Sequence, residues 1–170
     1  MAASALNRIF LALLLTVTLP WIAGCDEKES DELARVRING VTFMMEIAAD
    51  DPSRMLGLGG REEIDERGGM IFVFPSAAVI QFVMRDCLVP IDVAFLDASG
   101  RVVAMHEMTP EEPRREGESA MAYERRLKNY PSRFPAQFAV ETAGGRLREV
   151  GLEVGQRVEF DLERLKNMVR

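Results

Sequence analysis

The sequence predicts an α+β fold that is mainly β: a small antiparallel, barrel-like sheet domain with a few short helices. Short apolar runs recur along the chain, turn-forming residues separate them, and the helix signals between them are brief. The chain has 170 residues, of which 48% are hydrophobic. Such a chain suffices for one domain that buries roughly 70% of its unfolded surface. We therefore expect a single globular domain at residues 35–162.

The first predicted elements are a hairpin and a helix. Asn39-Gly40 lies between two alternating apolar runs and supplies the positive φ angles of a tight turn, which predicts a hairpin over residues 36–43. Asp51 offers an N-cap, and Pro52 suits the first helical position. The glycines at 57, 59 and 60 are expected to end this helix within two turns.

Three strands are predicted in the middle of the chain. Residues 70–74 form a continuous apolar run that Pro75 ends, as is typical of a strand buried on both faces. Residues 91–96 form a similar run. The turn-forming sequence at 97–100 then leads into residues 101–108, which predicts a second hairpin.

Two further strands are predicted near the C-terminus, at residues 138–142 and 157–162. Between them, residues 145–150 are expected to form one or two helical turns that Gly151 ends in a left-handed conformation. Residues 163–170 are predicted to be a helical, frayed tail.

A long connection occupies residues 111–137, which contain three prolines and many charges. Residues 119–129 within it have the pattern of an amphipathic helix. The favoured interpretation is a solvated insertion without a specific role. The alternative is a functional or mobile loop, since long loops in small domains often carry function.

The N-terminal residues 1–24 have the layout of a lipoprotein signal peptide. Arg8 precedes an apolar run at 9–19, which is too short to span a bilayer comfortably. Ile22-Ala23-Gly24-Cys25 matches the lipobox, in which the cysteine thiol receives diacylglycerol before cleavage. We therefore expect Cys25 to carry a lipid anchor that includes palmitate. An uncleaved anchor or an ordinary signal peptide is the alternative.

Residues 25–34 are acidic and polar, which predicts a solvated tether between the lipid and the domain. This organisation places the protein in the bacterial cell envelope, with a membrane as partner. Asp26 follows the lipidated cysteine directly, as in enterobacterial lipoproteins retained at the inner membrane. The expected location is therefore the inner membrane, facing the periplasm.

Charge and composition limit the partners. The net charge of −6 and the lack of a basic cluster argue against nucleic acid as a partner.

With Cys25 lipidated, Cys87 is the only free thiol, so no intrachain disulfide is expected. One histidine and one free cysteine cannot build the usual zinc sites, so no metal and no cofactor are predicted. Copper(I) is disfavoured because strand alternation directs only His106 and Met108, not Met105, to a common face.

Four segments resemble the motifs of the domain of unknown function 192 family, in the same order. Residues 57–61 resemble its G-L-x-x-R motif, and residues 69–75 resemble G-M-L-F-V-F. Residues 82–97 are similar to F-W-M-K-N-T-L-x-P-L-D-I-x-F-I-D, and residues 151–158 to the closing G-L-x-x-G-D-x-V. The resemblance implies a small β-rich domain, often exported or lipidated, with no established activity. The chain has Val83, Arg85, Asp86 and Cys87 where the family usually has Trp, Lys, Asn and Thr.

The candidate binding or catalytic residues are Arg61, Arg85, Asp86 and Asp92. We expect them to line a loop-built site that binds an unknown small ligand or envelope component without catalysis. The alternative is a hydrolase or lyase that acts on an envelope polymer, with Asp86 and Asp92 as acid and base. A third interpretation has Asp92 capping a turn or pairing with one of the two arginines.

Two weaker candidates are Cys87 and His106, which would serve as a nucleophile and its base. Their spacing does not show that they meet. Whether the protein is an enzyme therefore stays open at this point.

Overall fold

The computed structural model describes residues 32–169. The predicted signal peptide, Cys25 and most of the predicted tether lie outside the described residues. The first strand begins at Leu33, two residues before the expected start of the domain. No helix in the described part of the chain is long and apolar enough to cross a membrane.

Six strands form one mixed sheet, and two short strands form a second sheet. In the large sheet the strands lie in the order β1 (Leu33–Ile38), β2 (Val41–Ala48), β3 (Met70–Ala78), β8 (Ala136–Ala143), β5 (Ile91–Leu96) and β6 (Val102–Met108). The small sheet pairs β4 (Gln81–Phe82) with β7 (Tyr130–Pro131). The helices are α1 (Asp51–Leu56), α2 (Ala120–Arg126), α3 (Arg146–Glu149) and α4 (Leu162–Lys166). The mainly β prediction is confirmed, although β2 and β3 are parallel and the six strands do not close into a barrel.

Both predicted hairpins are present. Strands β1 and β2 pair Ile38 with Val41 across Asn39 and Gly40, whose φ angles are 46° and 83°. Strands β5 and β6 pair across residues 97–100, with one register shift near the turn. The turn-forming residues at 39–40 and 97–100 therefore account for both hairpin connections.

Two predicted boundaries differ from the structure. The N-cap of α1 is Asp50 rather than Asp51, because the Asp50 carboxylate accepts a hydrogen bond from the Ser53 N–H at 2.8 Å. Strand β3 continues past Pro75 to Ala78, but its pairing with β8 is irregular between Val73 and Ala78. Proline has no N–H to donate, which fits its place in the irregular stretch.

The prediction of a strand at residues 157–162 is wrong. Residues 155–159, which we name the closing segment, run between the two edges of the large sheet. Glu159 exchanges backbone hydrogen bonds with Arg37 of β1 at 2.8 and 2.9 Å, and the Val158 N–H donates to Gly100, next to β6, at 2.9 Å. Because successive residues pair with different strands, only isolated bridges form.

The C-terminal residues belong to the packed domain. Helix α4 covers the first half of the predicted tail, and its Leu165 is 1% exposed. Helices α3 and α4 pack on one face of the large sheet, where the buried residues include Phe43, Val140, Leu147, Val158 and Leu165.

The opposite face of the large sheet has its own core. Buried residues there include Leu58, Met70, Phe72, Met84, Val93, Phe95 and Tyr130. Leu58 follows α1, whereas Met84 and Tyr130 come from the segments around the small sheet. This second face carries the candidate site.

Candidate functional site

One row of directly paired residues crosses the second face of the sheet. It runs from Glu46 through Met70, Glu141 and Val93 to His106. Directly paired residues point to the same face of a sheet, so the Glu141 side chain projects from the centre of this face. Its flanking neighbours in the row are both apolar.

A cavity of about 440 Å³ lies over Glu141, and we name it the Glu141 cavity. Its walls come from α1 and the loop after it, from β3, and from residues 80–87. Most of the lining is apolar, and three of its residues are phenylalanines. The apolar side chains include Leu58, Phe72, Phe74, Ile80, Phe82 and Val83. The polar lining side chains are Asp51, Arg54, Gln81, Arg85, Cys87 and Glu141.

The Glu141 carboxyl group is buried without a hydrogen-bond partner among the described residues. The residue is 5% exposed. Burial raises the pKa of this carboxyl to about 8, and the more distant charge of Arg61 opposes the rise only in part. Glu141 is therefore largely protonated near neutral pH, and its polar atoms face the cavity.

Gly57 leaves space beside this carboxyl. It follows the last residue of α1, and a Cβ atom at this position would lie 3.5 Å from Cζ of Phe72 and 3.8 Å from Oε2 of Glu141. Because glycine has no side chain, no side chain at position 57 covers the Phe72 ring or the carboxyl at this part of the cavity wall.

Two arginines at the rim of the cavity are already paired. Arg85 forms a bidentate ion pair with Glu124 of α2, with Nη2 to Oε2 at 2.8 Å. Arg54 donates to Asp51 and to the Val73 carbonyl, both at 2.7 Å. Neither arginine offers an unpaired positive charge to a ligand.

The long connection supports the wall of the cavity. The Tyr123 hydroxyl of α2 accepts a hydrogen bond from the Asp86 N–H and donates to the Asp86 carboxylate, both at 3.1 Å. Tyr123, Leu127 and Tyr130 are at most 4% exposed. Part of the segment 111–137 therefore packs against the domain through α2 and β7, whereas residues 112–117 are exposed, as expected of a solvated insertion.

The structure does not bring the four predicted site residues together. Arg61 lies beside the Glu46 end of the row and forms a bidentate ion pair with Glu46 at 2.5 and 2.8 Å. Arg85 borders the Glu141 cavity, whereas Asp86 is not among the residues that line it. Asp86 has a positive φ of 54° and is held by Tyr123.

Asp92 lies on the opposite face of the sheet from Glu141. It pairs with Thr142, one residue out of phase with the row, and is 2% exposed. Its Oδ2 accepts a hydrogen bond from the Leu147 N–H of α3 at 2.9 Å, and Oδ1 has no hydrogen-bond partner among the described residues. Burial raises the pKa of Asp92, and the nearby backbone N–H groups of Gly145 and Leu147 oppose the rise. Asp92 thus anchors a helical turn, and the structure gives it no common cavity with Asp86.

Cys87 and His106 also have separate surroundings. Cys87 lines the Glu141 cavity, and burial raises the pKa of its thiol to about 11, with a further contribution from Glu141. Reactive cysteines need the thiolate, which this environment disfavours. His106 instead contacts the Pro131 carbonyl through Nε2 at 2.8 Å and packs against Phe95 and Tyr130. Nothing in this geometry assembles a nucleophile and its base.

Metal binding has no preformed site within residues 32–169, where no group of three or more His, Cys, Asp or Glu side chains could hold an ion. Sequence reasoning identified residues 138–142 as a strand but missed Glu141 as a functional candidate. The one carboxylate in a mostly apolar strand is the signal that points to it.

Solved structures resemble this fold. A proposed transcription regulator from Sinorhizobium meliloti 1021 matches with a TM-score of 0.60 and 26% identity, over 75% of this chain and 93% of that one. A protein of unknown function from Novosphingobium aromaticivorans DSM 12444 matches with a TM-score of 0.60 and 23% identity, over 75% of this chain and 82% of that one. The second likeness concerns the fold alone.

No curated protein matches the chain. The family model DUF192, described as "Uncharacterized ACR", matches residues 34–160. That range covers most of the chain and nearly all of the domain, in agreement with the motifs noted in the sequence. The chain therefore belongs to the DUF192 family.

Proposed function

We propose that this chain is a noncatalytic binding module that takes a small, largely apolar molecule into the Glu141 cavity. We further propose that a lipid on Cys25 tethers it to a membrane of the bacterial envelope, facing the periplasm. The observation that carries the binding proposal is the buried Glu141 carboxyl, which faces an apolar cavity without a hydrogen-bond partner among the described residues.

Energetics favour an occupant at this position. The Glu141 oxygens border the cavity and have no hydrogen-bond partner among the described residues, so a ligand that hydrogen-bonds to them would contribute about 0.5–1.5 kcal/mol. The volume of about 440 Å³ lies in the usual range for small-molecule sites. The phenylalanine walls supply apolar contact, and the single carboxyl supplies orientation.

The chemistry of the cavity supports binding over catalysis. Glu141 and Cys87 both have pKa values raised by burial, so both are largely neutral near pH 7. A protonated carboxyl cannot act as a general base and a neutral thiol is not an activated nucleophile, so these groups would leave only general-acid chemistry to the cavity. The charged rim groups Arg54 and Arg85 are engaged in ion pairs.

A fragment screen by thermal shift on the full chain tests the binding proposal. We expect some small apolar fragments with one polar group to raise the melting temperature, and Glu141→Gln to reduce those shifts. Glu153→Gln is the matched control, because Glu153 is exposed and does not line the Glu141 cavity. Hits with equal shifts in wild type and Glu141→Gln, or NMR perturbations confined to another surface, would contradict the assignment.

Metabolic labelling with an alkyne fatty acid tests the tether. The wild-type chain and Cys87→Ser are expected to incorporate the label and fractionate with membranes. Cys25→Ser is expected to lose the label, because no thiol remains at the lipobox position. Labelling that survives Cys25→Ser would refute lipidation at this residue.

A further inference from the structure

We propose that the polar group accepted by the Glu141 cavity is an ammonium cation carried on an otherwise apolar molecule. This inference rests on the proposed binding function and names the ligand class. It starts from the coexistence of one buried carboxyl and three phenylalanine rings in the lining of a single cavity. Aromatic faces attract cations, and a carboxylate supplies the opposite charge.

The rings form a connected cluster around Phe82. Phe72 meets Phe82 edge to face with ring centroids 4.8 Å apart, and Phe74 is tilted against Phe82 at 6.5 Å. The Phe72 ring and the Glu141 carboxyl both lie next to Gly57, so the ring and the carboxyl share one part of the cavity wall. A methyl or methylene group attached to a charged nitrogen in the cavity can therefore contact both groups.

The rim is compatible with a cation. Arg54 and Arg85 would repel one if they were unpaired, but Asp51 and Glu124 neutralise them. The Arg54 guanidinium also lies 5.6 Å from the centre of the Phe74 ring, so one ring of the cluster already takes part in a cation–π contact. An anionic ligand would find no unpaired arginine in the lining and would face the Glu141 carboxyl.

The groups around Glu141 determine what happens to its proton. In the sheet its direct neighbours are Met70 and Val93, and the row ends in the Glu46–Arg61 pair on one side and His106 on the other. From the covering segment, the Cys87 thiol interacts with Glu141, and Arg85 lines the same cavity, with Asp51 and Arg54 at the rim. Arg61 is the charge that acts on the carboxyl from the side of the sheet. None of these forms a hydrogen bond with the carboxyl.

A bound cation would therefore draw Glu141 into its ionised form. The O–H bond of the protonated carboxyl breaks, the proton passes to solvent buffer, and the carboxylate pairs with the incoming ammonium. Because the pKa of Glu141 is about 8 in the folded protein without a ligand, binding of the cation near pH 7 should release close to one proton. A neutral hydroxyl ligand would leave the proton in place.

Calorimetry on the full chain in a nonionic detergent distinguishes these cases. The probes are phenethylamine, phenethyl alcohol and hydrocinnamate, which share one phenethyl body and differ in the charge of the end group. Titrations near pH 7 in two buffers of different ionisation enthalpy count the protons released. We expect the amine to bind about tenfold tighter than the alcohol or better, with release of about one proton.

Two variants distinguish the contribution of the carboxyl to amine binding from that of the phenylalanine rings. Glu141→Gln is expected to abolish both the preference for the amine and the proton release. Phe82→Leu retains the carboxyl and most of the apolar volume, so it should lower the preference severalfold while proton release persists. Circular dichroism confirms that each variant is folded.

The outcomes also separate this inference from the binding proposal. Equal or tighter binding of the alcohol, or preferential binding of hydrocinnamate, would overturn the ammonium assignment while the binding cavity stands. Amine binding that is unchanged in both variants would place the cation site elsewhere and overturn it as well. Failure of all three probes to bind would count against the proposed function itself and the inference with it.

Discussion

Gly69→Ala is expected to lower the free energy of unfolding by on the order of 3 kcal/mol or more. Gly69 has a φ of 135°, which residues with side chains rarely adopt. A Cβ atom here would overlap the carbonyl oxygen of Glu141 and lie 3.4 Å from Cα of Thr142. Both neighbours belong to the backbone of β8, a central strand of the sheet, so they cannot rotate away. Chemical denaturation measures the loss.

Gly117→Ala is the matched control. Gly117 also has a positive φ, of 76°, but no atom lies within 4 Å of the position of its Cβ. The control therefore carries backbone strain without a collision, and we expect a loss of about 1 kcal/mol. Equal losses in the two variants would show that strain alone limits position 69 and that the two strands do not approach as closely as described.

The pH dependence of stability is expected to carry the signature of Glu141. The pKa of its carboxyl is about 8 in the folded chain, against about 4.5 when exposed. Between these values the folded state keeps a proton that the unfolded state has lost. The retained proton stabilises the folded state, and this stabilisation is fully present below the pKa that Glu141 has in the unfolded chain. It is lost as the pH rises through the pKa that Glu141 has in the folded chain. The expected slope from this group is at most about 1.4 kcal/mol per pH unit.

Glu141→Gln tests this assignment, because the amide has nearly the same shape but does not titrate. Urea denaturation between about pH 5 and pH 8 should give a flatter profile for the variant than for the wild type. Glu46 and Glu124 have lowered pKa values, because Arg61 and Arg85 donate hydrogen bonds to them, so their contributions change at more acidic pH. Parallel profiles for the two proteins would mean that Glu141 is not buried as described.

Elements whose conformation depends only on residues adjacent in the chain were predictable from the sequence. The hairpin at Asn39-Gly40 and the cap of α3 at Gly151 follow from backbone preferences of single residues. Residues 157–162 have strand-like composition, but their pairing depends on the distance between β1 and β6, which no local pattern encodes. The exact N-cap of α1 was ambiguous because Asp50 and Asp51 are adjacent.

The candidate site was less predictable because its partners are distant in sequence. Arg61 pairs with Glu46 and Arg85 pairs with Glu124, and neither glutamate lies in a motif shared with its arginine. Carboxylates in antiparallel strands usually face water, since such sheets often have one solvated face. Glu141 is buried only because α1 and residues 80–87 cover that face, and this covering is a tertiary property.

The closing segment has a consequence for the behaviour of the protein in a crowded compartment. Exposed edge strands template the addition of further strands from other molecules, which is a route to aggregation and amyloid. Residues 155–159 place backbone hydrogen bonds on Arg37 of one edge and on Val102 of the other. One short stretch of irregular chain therefore occupies part of the backbone of both edge strands, which disfavours the addition of strands from neighbouring copies at those positions.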